Sequence, residues 1–171
     1  MMKNFEILRC GPDSHLKTST VLHTGGGKTI PPSPVVKCLG VHLNEDANYK
    51  HHIRMTVSKA KQMAGWALRT FRSRDRETMI TLWKALIQPV LDYCSQLWSP
   101  HKQGDIQELE STQRYFTRQI AGMQGLTYWE RLEKLGLYSQ QRRRERYQVI
   151  NNWKILEQQV PNPTTSSLQA T

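Results

Sequence analysis

The sequence predicts an α+β fold, with short antiparallel strands over residues 1–48, a mainly helical bundle over residues 49–160 and an unpatterned tail over 161–171. Three observations predict it. Residues 1–48 mix β-branched and apolar residues with glycine and proline breakers. From Tyr49 the apolar spacing changes from two to between three and four. The later segments open on capping residues and close on glycine.

Phe5-Glu6-Ile7-Leu8 alternates apolar and polar and predicts a strand, stopped by Gly11-Pro12-Asp13. A second strand is expected from Thr18 to His23, followed by a turn at Gly25-Gly26-Gly27, because glycine reaches positive φ without steric penalty. Val35 to Leu43 predicts the best strand of the chain, mostly buried. Ile53, Val57, Ala60, Ala64, Leu68 and Phe71 form one face of a helix from Tyr49 to about Arg72. At ~100° per residue, Arg54, Lys61 and Arg72 fall within about 20° of one another, with Arg69 near the edge of that stripe. This predicts a row of cations beside the apolar face.

Asp75 is the expected N-cap of the next helix, whose apolar series runs from Met79 to Leu97 and is interrupted at Pro89, where a kink or fresh start is predicted. Trp98 reads as a core anchor. Asp105 with Glu108 predicts the start of a third helix, with Ile106, Leu109, Phe116 and Ile120 as its seam and Gln113 inside that seam, where an amide needs partners. Gly122 and Gly125 close it. Thr127 and Glu130 form a capping box for a short helix ending at Gly136. Ser139 caps the last helix, expected to reach about Gln158 and to pack through Val149, Ile150, Trp153, Leu156 and Val160. Arg142, Arg143, Arg144 and Arg146 crowd its first turn against the helix dipole, which favours either a bound phosphate or carboxylate partners among Glu130, Glu133 and Glu145.

The formal net charge is +10, and the excess is largest over residues 51–100, with eight Lys and Arg against three Asp and Glu. Such a surplus points to a polyanion partner, because neutralised phosphates release counterions. Cys10, Cys38 and Cys94 are odd in number and widely spaced, so buried free thiols in a reducing, intracellular compartment are expected rather than disulfides or a metal cluster. No secretory leader is expected in the charged stretch from Met1 to Cys10, nor a membrane span without about 18 consecutive apolar residues. Gly25-Gly26-Gly27-Lys28-Thr29 fails the phosphate-loop pattern because Leu22 stands where glycine is required. His51 and His52 are adjacent, and neighbouring side chains on a helix diverge. No catalytic set, metal site or cofactor motif emerges.

An ordered series of short segments carries a family resemblance. Lys37-Cys38-Leu39-Gly40-Val41 precedes the basic helix ending near Arg69-Thr70-Phe71-Arg72. Gln88-Pro89-Val90-Leu91-Asp92-Tyr93, Leu97-Trp98-Ser99-Pro100, Leu109-Glu110, Gln113-Arg114, Tyr128-Trp129-Glu130-Arg131-Leu132 and Arg142-Arg143-Arg144 follow. From Phe5 to about Leu156 the series resembles the region downstream of the catalytic centre in reverse transcriptases of non-LTR (LINE-type, jockey-like) retrotransposons. The resemblance implies that residues 1–48 are a palm remnant, that Leu39 and Gly40 belong to a primer-grip-like segment, and that the helices are a thumb-like and post-thumb region holding template-primer duplex. No two aspartates are adjacent, so the metal-binding pair of these RNA-directed DNA polymerases is missing and catalysis is not expected. The expected function is nucleic-acid binding, to RNA/DNA duplex or single strand, through Arg54, Lys61, Arg69, Arg72, Arg142, Arg143, Arg144 and Arg146. The alternatives are a helical protein-interaction module that pairs with itself or a missing polymerase portion, and a decayed element fragment without a selected role.

Overall fold

The computed structural model describes residues 5–10 and 20–159 and divides into two compact units, Met1–Met55 and Thr56–Thr171. The fold is α+β, with a two-stranded antiparallel sheet followed by a series of helices. The expected tail, Val160, and Thr18 and Ser19 of the expected second strand lie outside the described residues.

In the first unit, the stretch predicted as one strand folds into a hairpin, β1 (Val35–Cys38) and β2 (Val41–Asn44), in register from Val35 opposite Asn44 to Cys38 opposite Val41. The chain reverses at Leu39 and Gly40, whose φ values are +47° and +87°. A two-residue turn with both φ positive matches the right-handed twist of the flanking strands. Gly40 adopts it freely, whereas a leucine there costs about 1–2 kcal/mol. Leu39 stands 87% exposed at the tip, and Val41 is the one buried residue of the hairpin. Phe5-Glu6-Ile7-Leu8 forms no strand; Ile7 makes a single parallel bridge to Pro32, because the prolines beside it offer carbonyls and no N–H. The glycine turn is present. Thr24 N–H donates to the Lys28 carbonyl at 2.8 Å across it, and Gly27 takes a φ of +76°.

Helix α1 (Lys50–Thr70) begins where the Asn48 side chain accepts the Lys50 N–H at 2.9 Å. In the second unit its Val57, Ala60, Ala64 and Ala67 are buried. Asp75 caps α2 (Arg76–Leu82) by accepting the Thr78 N–H at 2.9 Å. A π-helical turn, Trp83–Ile87, then leads into α3 (Gln88–Asp92). Pro89 supplies the reason. It has no N–H for the carbonyl one turn back, so the helix widens ahead of it and Gln88 N–H bonds the Trp83 carbonyl instead. The helix stops at Asp92 rather than continuing to Leu97, because Tyr93 takes ψ 121° and Cys94 takes φ +52°. Trp98 folds back under this bend, 1% exposed, and donates its indole N–H to the Tyr93 carbonyl at 2.8 Å.

Helix α4 (Gln103–Arg118) starts two residues ahead of Asp105, with Lys102 as its N-cap and no side-chain cap; Asp105 instead sits in the first turn, where its charge favours the dipole. Ile106, Leu109, Phe116 and Ile120 are buried as expected, and the Phe116 ring lies 5.4 Å from that of Trp83. Helix α5 (Tyr128–Leu135) carries the predicted Thr127–Glu130 capping box and ends on Gly136 at φ +67°. Helix α6 (Gln140–Leu156) is capped by Ser139 as predicted, but its packing face is not the predicted one. Val149, Ile150, Trp153 and Leu156 are exposed, whereas Gln140 and Arg144 are buried. The first turns of α6 are held by polar bonds, and Gln113 finds its partners there, donating to the Tyr138 carbonyl at 3.0 Å and accepting from Gln140 at 2.8 Å. The thiols are free, yet Cys10 and Cys38 are exposed and Cys94 half-buried, against the expectation that they are buried.

Candidate nucleic-acid interface

The cations proposed from the sequence lie in two places, on or just past α1 and in the first turns of α6. Arg54, Lys61 and Arg69 are exposed on α1. Arg54 belongs to the first unit, so Lys61, Arg69 and Arg72 are the members that one body carries. Arg72 is exposed but lies beyond the last helical residue, Thr70, so helical periodicity does not set its direction. Among the described residues, none of Lys61, Arg69 and Arg72 is held in an ion pair. The end of α1 is closed by Arg74, which the helical pattern does not single out. Its guanidinium donates to the Leu68 carbonyl at 2.6 Å and to the Ser73 carbonyl at 3.0 Å. A cation on the last carbonyls of a helix answers their partial negative charge.

The Arg142 to Arg146 cluster divides. Arg142 and Arg146 are exposed and place their guanidinium carbons 5.9 and 5.8 Å from the Tyr138 ring centre. Arg143 is tied inward, its Nε 2.9 Å from Asp92 Oδ2 and its Nη2 2.5 Å from the Tyr147 hydroxyl. Arg144 leaves the surface set altogether. It is 3% exposed, lies 4.1 Å over the Trp98 ring and donates to the Leu91 carbonyl at 2.6 Å. The carboxylate that answers this turn is Asp92, fifty-one residues earlier in the chain, and not Glu130, Glu133 or Glu145.

Sequence reasoning missed a further basic feature. A groove of about 500 Å³ in the second unit is lined by Arg114, Arg118 and Arg131 with Tyr115, and no carboxylate lines it. Arg114 and Arg118 stand one turn apart on α4, a spacing that was readable. Arg131 arrives from α5 and is fixed from below, donating to the Leu126 carbonyl at 2.7 Å and to the Thr117 hydroxyl at 3.3 Å. Arg114 also stacks on Tyr128 at 4.8 Å. The arrangement offers a phosphate two exposed guanidinium groups beside a third held rigid, with an aromatic ring at the edge.

Leu39 and Gly40 form the exposed hairpin tip of the first unit. Behind it, three histidines gather. His42 N–H donates to His52 Nδ1 at 3.3 Å, and the His42 ring centre is 5.1 Å from that of His51 and 5.7 Å from that of His52. Burial, then repulsion from His51 and Lys37, hold the His42 pKa below its ordinary value. The unfolded chain therefore takes up this proton first. The stability it contributes is complete above about pH 6.5 and is lost as pH falls through the lower folded value. Amide exchange of Val36 to Leu43 should accordingly speed up, relative to intrinsic rates, between pH 7 and pH 5. A His42→Gln chain with an undiminished pH response would contradict this.

Among the described residues, no three His, Cys, Asp or Glu side chains gather to hold a metal ion, and no helix is long and apolar enough to cross a membrane. The fold and its surface define a basic α+β protein with an arginine-lined groove. Comparisons with protein-family models, curated proteins and solved structures find no match to this chain.

Proposed function

We propose that the chain is a non-catalytic portion of a LINE-type reverse transcriptase that binds nucleic acid through phosphate contacts. The carboxylate-free groove of Arg114, Arg118 and Arg131 is the observation that carries this reading. The net charge of +10, the exposed Lys61, Arg69 and Arg72, and the pair Arg142 and Arg146 beside Tyr138 support it. The resemblance supplies the family, and assigns the exposed tip at Leu39 and Gly40 to the primer end. Phosphate contacts of this kind give affinity and register with little sequence preference.

Salt-titrated binding to a primed duplex tests the reading. Three to five phosphate contacts predict a log-log slope of about −3 or steeper. Arg114→Glu/Arg118→Glu and, separately, Lys61→Glu/Arg69→Glu/Arg72→Glu should each weaken binding about tenfold or more at low salt and flatten the slope by about two to three. Binding by both variants at the strength of the parent chain, with melting temperatures unchanged, removes the proposal.

A second reading, a helical interaction module, is favoured by one observation. Val149, Ile150, Trp153 and Leu156 present an apolar face on α6 that the described residues do not cover. Association through such a face is far less sensitive to salt, and a flat salt response would transfer the reading to it.

A further inference from the structure

One aromatic side chain of the arginine-lined groove has no visible task in holding the fold. Tyr115 lines that groove, is 50% exposed, and takes part in no hydrogen bond or ring contact among the described residues. The neighbouring Tyr128 is different. It is buried, its hydroxyl donates to Glu110, and its ring is covered by Arg114 and Arg131, whose guanidinium carbons lie 4.8 and 5.9 Å from its centre. Arg118 stands one turn on from both Arg114 and Tyr115, so it neighbours each of them on the surface of α4. All three are exposed, and Arg118 has no hydrogen bond or ion pair among the described residues. Gln119 adds a half-buried amide to the lining, and Gly125 adds bare backbone, with no atom within 4 Å of the place a Cβ would take.

Cations by themselves serve any phosphate chain, paired or unpaired. A free aromatic ring set among them does not. In a duplex the base faces lie against one another, so a protein ring gains nothing from them. An unpaired base has a free π-face, and stacking it on an aromatic side chain is worth roughly five- to hundredfold in affinity. Every base has such a face, so the gain carries little sequence preference. The groove has both parts of this recognition. Tyr115 is the free ring, Arg114 is steadied by its stack on Tyr128, Arg118 is unengaged, and no carboxylate lines the groove to repel a phosphate backbone. We infer that the groove takes an unpaired strand, RNA or DNA, with a base stacked on Tyr115 and the flanking phosphates on Arg114 and Arg118. The inference rests on the nucleic-acid reading proposed above and names the form of nucleic acid this surface takes. A primed duplex offers such a strand in its template overhang.

The test is a salt-titrated binding assay of the full chain with four probes of about ten nucleotides. They are a single-stranded RNA, a single-stranded DNA, the same DNA strand made wholly abasic, and a blunt DNA duplex. At least one base-bearing single strand should bind tenfold or more tighter than both the abasic strand and the duplex, and the RNA and DNA arms report which sugar is preferred. Tyr115→Ala should cut that advantage at least fivefold and keep the salt slope and the melting temperature, whereas Tyr115→Trp should keep the advantage. Base-bearing and abasic strands bound equally, a duplex bound as tightly as either single strand, or an advantage that survives in Tyr115→Ala overturns the inference. The salt slope separates this failure from that of the function proposed above. A steep slope with equal binding of base-bearing and abasic strands removes the stacking alone, whereas weak binding with a flat slope in every arm removes both.

Discussion

Arg144→Ala is expected to destabilise the second unit by about 3 kcal/mol and to lower the melting temperature by roughly 10 °C. Burial lowers the pKa of this guanidinium to about 10, while Asp92 and Glu110 push it back up, so the group is charged at neutral pH. Its removal cuts the bond to the Leu91 carbonyl, uncovers the Trp98 ring and leaves two carboxylates short of a cation. Truncating one member of a buried charge set costs far more than replacing the set by apolar groups, because the remaining charges are stranded. Arg144→Met therefore separates the causes. It fills the space over Trp98 without restoring the charge, and should recover only the packing part of the loss. Chemical denaturation of both variants checks this. A loss below about 0.5 kcal/mol for Arg144→Ala, the range of ordinary surface substitutions, would mean that the stack over Trp98 does not hold α6.

The same arginine shows where the sequence was readable and where it was not. Asp75, the Thr127–Glu130 box, Gly136 and Ser139 were legible because a cap is made by residues within one turn of each other. Gln113 was legible as a buried amide needing partners, though not as the centre of a chain linking Tyr138 and Gln140. The hairpin was hidden because its turn uses Leu39 in place of a residue that favours positive φ, so the apolar run read as continuous. The packing face of α6 was hidden for a different reason. Its apolar residues keep helical spacing, but the helix is anchored by Gln140 and Arg144, which a hydropathy pattern assigns to solvent. Runs of arginine are likewise silent about direction. Adjacent positions on a helix turn by about 100°, so four neighbours could not share one surface, and two of the four face inward. The arginine groove joins α4 to α5, and only its Arg114 and Arg118 half follows from spacing.

Glu110→Ala is the second large effect expected, about 3 kcal/mol or more. This carboxylate is 3% exposed and serves two neighbours of α4. It accepts from the Tyr128 hydroxyl on α5 and, at 3.0 Å, from the Gln141 N–H on α6. Burial first, and then Glu110, raise the Tyr128 pKa, so the phenol stays a donor throughout the neutral range. Alanine would strand that hydroxyl and the Gln141 amide together, each at about 1–3 kcal/mol, and would remove one of the two carboxylates that balance Arg144. A double-mutant cycle distinguishes these contributions. In a Tyr128→Phe background one stranded donor is already gone, so Glu110→Ala should cost less than in the parent chain, with a coupling of about 0.5–3 kcal/mol. Costs that simply add would show that the hydrogen bond to Tyr128 is not where Glu110 acts, and would leave its charge and its bond to the Gln141 N–H. If the charge is what acts, the coupling should reappear when Glu110→Ala is crossed with Arg144→Met, where the charge that needs balancing is absent.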